Sequence, residues 1–222
     1  MQAPLDIAIC SRALPESPIP ASKIKIMPTE LADIIASDRN SLAWHTQHGS
    51  LWVFGYGSLM WQPGFSFLMR RPARLIGAHR ALCIYSHHYR GTAEQPGLVL
   101  GLDRGGACQG IAFLIGESER QATLDYLRER EQRTGVYREV SRTVWLDGDA
   151  RLRVSALCYV ADRGHAQYAG RLSFEEQLRH IRQGFGVTGP NRDYVLSTVD
   201  ELEAHGFRDK GLHRMALALR GE

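Results

Sequence analysis

The stretch Leu51-Trp52-Val53-Phe54-Gly55-Tyr56-Gly57-Ser58 constrains the fold of this chain more than any other part of it. The apolar run 51–54 has the form of a buried strand, and it breaks abruptly into two glycines separated by one residue. Without a Cβ, the backbone there can take conformations closed to other residues, so that consecutive N–H groups turn toward one point. Such a loop serves either as a cradle for an anion or oxyanion, or as a purely structural turn after a strand. Two familiar glycine loops are excluded. A dinucleotide fingerprint needs a third glycine where Met60 stands and a helix where Pro63 stands, and a nucleotide-hydrolase phosphate loop needs a Gly-Lys-Ser/Thr that is missing.

Downstream, the apolar patterning predicts strands over 74–76, 81–85, 98–103, 108–115, 137–146 and 151–160. Glycine-bearing turns at 103–106 and 147–149 favour antiparallel hairpins over crossovers. The expected fold is therefore of the α+β class, a small mixed, mostly antiparallel β-barrel with flanking helices. One helix interrupts the strands, opened by a capping box from Ser118 to Gln121 and running to about Gln132. A second capping box, Ser173 to Glu176, opens a helix that Gly184 stops; another runs from Asn191 toward His205, and a last one holds Leu212, Met215 and Leu219. Ahead of the strands, residues 1–28 are expected to form a flexible Pro-rich arm and 29–50 a short helical lead-in, which leaves 51–222 as the folded domain. A chain of 222 residues suits one such core.

The net charge of +3 comes from arginines scattered among acids, which does not call for nucleic acid and suits a small anionic substrate. No run is long enough to span a membrane and the start does not read as a signal peptide, so the cytoplasm is the expected compartment, without membrane contact. Cys10, Cys83, Cys108 and Cys158 lie too far apart for a zinc motif or a disulfide framework and are read as reduced thiols. Adjacent His87 and His88 would point to opposite faces of a strand, a poor metal pair, so no metal site is expected. Ser58 has no recognisable partner histidine, and no nucleophile elbow is present.

Helical periodicity singles out one carboxylate. At 100° per residue, Leu124, Leu127 and Glu131 share a face, whereas Glu129 points well round the other side. A glutamate on the apolar face either pairs with an arginine such as Arg74 or Arg80, or has its pKa raised by desolvation into the range of a working proton carrier.

Beyond these residue-level readings, the segments Val53 to Trp61 with Pro63-Gly64-Phe65, Gly77-Ala78-His79-Arg80, Ser86 to Thr92, Pro96-Gly97, Gly110 and Tyr126-Leu127-Arg128-Glu129-Arg130-Glu131 resemble the ChaC family of glutathione-specific γ-glutamylcyclotransferases. Thr134 to Tyr137 and Gly189 to Tyr194 are similar to its bacterial form. The resemblance implies a catalytic domain over 51–222, no cofactor, and cleavage of glutathione to 5-oxoproline and Cys-Gly. It carries the catalytic glutamate onto Glu131 and the substrate-binding loop onto Phe54, Gly55, Tyr56, Gly57, Ser58, Leu59 and Met60, with Tyr56 and Ser58 as the side-chain contacts. Tyr137 is a further candidate for substrate binding, and on charge alone Arg74, Arg80 or Arg90 would meet the glutathione carboxylates. The alternatives are a cyclotransferase for other γ-glutamyl amines or amino acids, and a non-enzymatic regulatory module related to cation transport. The chain departs from the family pattern in its long arm and in Gln132-Arg133-Thr134 after the glutamate.

Overall fold

Strand β1 (Leu51–Gly55) is the apolar run that opens the domain, and from Trp52 onward it is buried. Its surroundings explain this: it lies antiparallel to β3 (Gly97–Ile115) on one side and parallel to β5 (Arg153–Ala161) on the other. With β2 (Met69–Ser86) and β4 (Tyr137–Leu146), these strands close into a barrel in the order β1, β3, β2, β4, β5. Every pairing except β1 with β5 is antiparallel, as expected of a mixed, mostly antiparallel barrel. The structure, a computed structural model, describes residues 49–147 and 152–221. The expectations for the arm, the lead-in helix and Cys10, and the turn that follows Asp147, lie outside the described residues.

The hairpin expected at 103–106 does not form. Strand β3 runs unbroken through that segment, and β2 likewise joins the two strands expected at 74–76 and 81–85. Register slips where Ile76 pairs Ala107 but Ala78 pairs Arg104, which leaves Gly77 extra on one strand and Gly105 and Gly106 extra on the other. All three have positive φ, so the glycines bend a continuous ribbon instead of reversing it. The reversal comes later, between Ser86 and Gly97, and places His87 and His88 in an exposed loop.

Helix α1 (Glu117–Glu131) follows β3 after a single residue, Gly116, which is its N-cap without a side-chain bond. The capping box expected at Ser118 is therefore absent, because Ser118 is already inside the first turn. Helix α2 (Phe174–Gln183) does begin with the capping box of Ser173 and Glu176. Two short strands, β6 (Phe185–Gly186) and β7 (Gly189–Pro190), then form a hairpin too short to leave a periodic signal. Helices α3 (Asn191–Ala204) and α4 (Lys210–Arg220) complete the domain. Asn191 is fully buried because its side chain serves β3 as an extra strand would, accepting from Leu98 N at 2.7 Å and donating to Leu98 O at 2.8 Å.

The start of the glycine loop depends on a close approach of two strands. A Cβ on Gly110 of β3 would lie 2.2 Å from Gly55 O and 2.8 Å from the Phe54 ring. Gly110→Val is expected to cost on the order of 3 kcal/mol through this overpacking, read as a lower thermal midpoint together with lower activity. An unchanged midpoint would show that β1 and β3 can move apart freely.

Candidate active site

At Gly55 the chain leaves the barrel wall, turns through Tyr56 and Gly57, and enters a single 3₁₀ turn, Ser58–Met60, closed by Met60 N donating to Gly57 O at 2.8 Å. Leu59 and Met60 are buried and fasten the turn to the core, and Phe54 is buried beneath it. These three side chains are packing residues and the Tyr56 ring is buried with them, so the loop presents its backbone together with the half-buried Ser58. The Ser58 and Leu59 N–H groups lie at the open start of the turn, where no intrahelical acceptor exists.

Helix α1 delivers Glu131 to this loop. Thr123 and Leu127 are buried one turn apart and Glu131 follows on the same line, its side chain 18% exposed, while Leu124 is only half-buried and Glu129 faces solvent. The inward face is thus Thr123, Leu127 and Glu131. Neither Arg74 nor Arg80 is the partner of Glu131. Its neighbour Arg130 is, with Nε 3.2 Å from Oε1. The same guanidinium donates to Ser58 Oγ, Gln62 O and Tyr126 Oη, each at 2.8 Å. Arg130 therefore ties the carboxylate and the glycine loop into one unit. Burial pushes the Glu131 carboxyl above the ordinary glutamate range, and Arg130 offsets part of that rise.

Three tyrosines share the neighbourhood. Tyr137, at the head of β4, donates to Leu100 O at 2.6 Å, and Leu100 N–H donates to the Tyr194 hydroxyl at 3.1 Å. Burial is the main cause that raises the Tyr56, Tyr137 and Tyr194 hydroxyls, and the charge of Glu131 adds to the rise in each. All three stay protonated and able to donate a hydrogen bond. The structure thus brings Tyr56, Ser58, Glu131 and Tyr137 together, and adds Arg130 and Tyr194, for which no task could be read from the sequence.

The three candidate arginines are placed differently. Arg74 is exposed on the outer wall of β2. Arg80 is buried and bonded to Tyr56 O, Gln109 O and Asp209. Arg90 is buried as well, donating to Thr188 O and Pro190 O and lying over the Tyr194 ring. The guanidinium groups of Arg80 and Arg90 thus hold backbone. Cys83, Cys108 and Cys158 are free and buried, their thiols pushed up to about 12, 11 and 12 by burial, so none of these three offers a thiolate as a nucleophile. Among the described residues, no three His, Cys, Asp or Glu side chains converge as a metal site requires. No helix among them is long and apolar enough to cross a membrane.

The sequence model of the ChaC-like protein family matches residues 51–220. This chain belongs to the ChaC family. Among its ChaC relatives, the glutathione-specific gamma-glutamylcyclotransferase of Escherichia coli (strain K12) is 34% identical over 185 residues, which cover 83% of this chain and 79% of that protein. The glutathione-specific gamma-glutamylcyclotransferase 1 of Homo sapiens is 29% identical over 170 residues, 76% of this chain and 77% of that protein. The crystal structure of the yeast gamma-glutamyl cyclotransferase specific to glutathione superposes with a TM-score of 0.69 at 20% identity, covering 78% of this chain and 96% of the other, a likeness of fold.

Proposed function

We propose that this ChaC protein converts glutathione to 5-oxoproline and Cys-Gly, with Glu131 as the group that moves the proton. The observation that carries this reading is the position of Glu131, a desolvated carboxylate that Arg130 holds against the Ser58 loop.

The chemistry needs little equipment. The α-amine of the γ-glutamyl group attacks its own γ-carbonyl carbon; the new C–N bond closes a five-membered lactam and the bond to the cysteine nitrogen breaks. The nucleophile is tethered to its target, so the protein supplies orientation, proton transfer and charge stabilisation. Glu131 takes a proton from the α-ammonium to free its lone pair and returns one to the departing amide nitrogen. Backbone N–H groups at the start of the 3₁₀ turn meet the oxygen that becomes negative as the carbonyl carbon turns tetrahedral. Tyr56, buried, and Tyr137, half-buried, are protonated and stand close to Glu131 to receive the γ-glutamyl moiety. The family resemblance and the relatives named for glutathione support that substrate over other γ-glutamyl amines. Buried, free thiols support a reducing compartment such as the cytoplasm as its place of work.

Incubation of the purified protein with glutathione is expected to yield 5-oxoproline and Cys-Gly in equal amounts, with γ-glutamyl-alanine a poor substrate, read by chromatographic analysis of both products. Release of free glutamate instead would make water the nucleophile, and no product at all would favour a regulatory module.

A further inference from the structure

The mechanism gives no role to Arg80, yet it is the most heavily engaged charge in the barrel. It lies on β2, its side chain only 4% exposed, and all its nitrogens point at fixed acceptors. Nε donates to Tyr56 O at 2.6 Å, Nη2 to Gln109 O at 2.8 Å, and Nη1 pairs with Asp209 Oδ2 at 3.3 Å. A buried guanidinium with these partners has no donor set free for a substrate carboxylate.

The bond to Tyr56 O has a directional consequence. No cis peptide bond occurs among the described residues, so the Tyr56 carbonyl and the Gly57 N–H point in opposite directions across one plane. With the carbonyl held by Arg80, the Gly57 N–H faces away from it, and among the described residues that N–H has no hydrogen-bond partner. Reversing that peptide turns Tyr56 ψ and Gly57 φ together; Gly57 accepts either φ, and Tyr56, whose φ is negative, has allowed ψ in both the helical and the extended regions. Local geometry therefore does not choose between the two orientations, whereas a charge-assisted bond in a buried setting does.

We infer that Arg80 is a positioning residue that fixes the Tyr56–Gly57 peptide plane and so presents the Gly57 N–H to the substrate oxygen, an inference that rests on the glutathione reading above. Asp209, which holds the other end of the guanidinium, also caps α4 by accepting from Gly211 N and Leu212 N, so the loop is referenced to the C-terminal helix as well as to the barrel.

The test is Arg80→Ala beside Arg80→Lys, each read by steady-state kinetics with glutathione and by the Gly57 amide signal in ¹⁵N NMR. In Arg80→Ala, kcat is expected to fall about 10²-fold, the scale for losing one oxyanion donor, with KM nearly unchanged and the single Gly57 signal split or broadened. Arg80→Lys, which keeps one cationic donor, falls between it and wild type, and carries both readouts should the alanine variant not fold. Added guanidinium chloride at millimolar concentration is expected to restore part of kcat in Arg80→Ala, entering by the cleft of about 360 Å³ that Arg80 lines with Arg74 and Arg208. A raised KM with kcat kept would make Arg80 a substrate ligand and overturn the inference, as would an unchanged Gly57 signal. Should the wild-type protein form no 5-oxoproline, the glutathione reading fails, and the Gly57 signal still decides the role of Arg80.

Discussion

Glu131→Gln is expected to lower turnover of glutathione by about 10²–10⁴-fold while leaving the fold intact. Glutamine keeps the shape of the side chain and an oxygen for the Arg130 guanidinium, but it cannot take a proton from the α-ammonium. The variant also separates catalysis from stability. Burial raises the Glu131 pKa in the folded state above 4.5, so ionising the carboxyl is harder in the fold than in the unfolded chain. Its favourable contribution is complete below the unfolded value and is lost as pH rises through the raised folded one. Against a side chain that is always neutral, wild type should therefore lose relative stability as pH climbs from 4.5 through that window, and Glu131→Gln should melt at least as high at neutral pH. The acid limb of the wild-type rate profile should have its midpoint above 4.5 for the same reason. Glu129→Gln, on the exposed face, should behave as wild type. Near-normal turnover in Glu131→Gln would remove Glu131 from the mechanism.

Acylating the substrate amine should abolish the reaction altogether. Ring closure owes its ease to a nucleophile already tethered beside the γ-carbonyl, an arrangement equivalent to effective concentrations of about 10⁵–10⁸ M in well-oriented systems. N-acetyl-glutathione keeps the γ-glutamyl amide, both carboxylates and the thiol but has no available lone pair on that nitrogen. It should give no cyclic product, whereas glutathione should turn over in the presence of chelators and after treatment of the enzyme with a thiol-blocking reagent, since Cys83, Cys108 and Cys158 are buried and protonated. Cleavage of N-acetyl-glutathione to N-acetylglutamate at a comparable rate would overturn the cyclisation mechanism, because only water could then be the attacking group.

Much of the site was legible in advance because its signals are local. A strand that ends in Gly55-Tyr56-Gly57, and a helical face that carries Glu131 but not Glu129, follow from spacing within about a dozen residues. The departures have identifiable causes too. Gly105 and Gly106 look like a turn in sequence, and only the pairing of β2 with β3 on both sides of the slip, Ile76 with Ala107 and Ala78 with Arg104, turns them into a bend. Gly116 capped α1 where Ser118 was expected, because β3 runs one residue short of the helix.

By itself, then, the sequence determined the kind of barrel, the break at the glycine loop and the inward turn of one glutamate, since each is written in a periodicity or a backbone requirement that neighbouring residues satisfy. Tertiary structure alone decided the partners of the charges. Arg130 reaches back to Ser58, Arg80 to Tyr56 and forward to Asp209, and Arg90 across to Thr188, over separations of 72, 24, 129 and 98 residues. No spacing rule predicts such pairs, because a buried guanidinium takes whichever acceptors the closed barrel brings within reach, and desolvation makes the best of those acceptors binding for the whole fold.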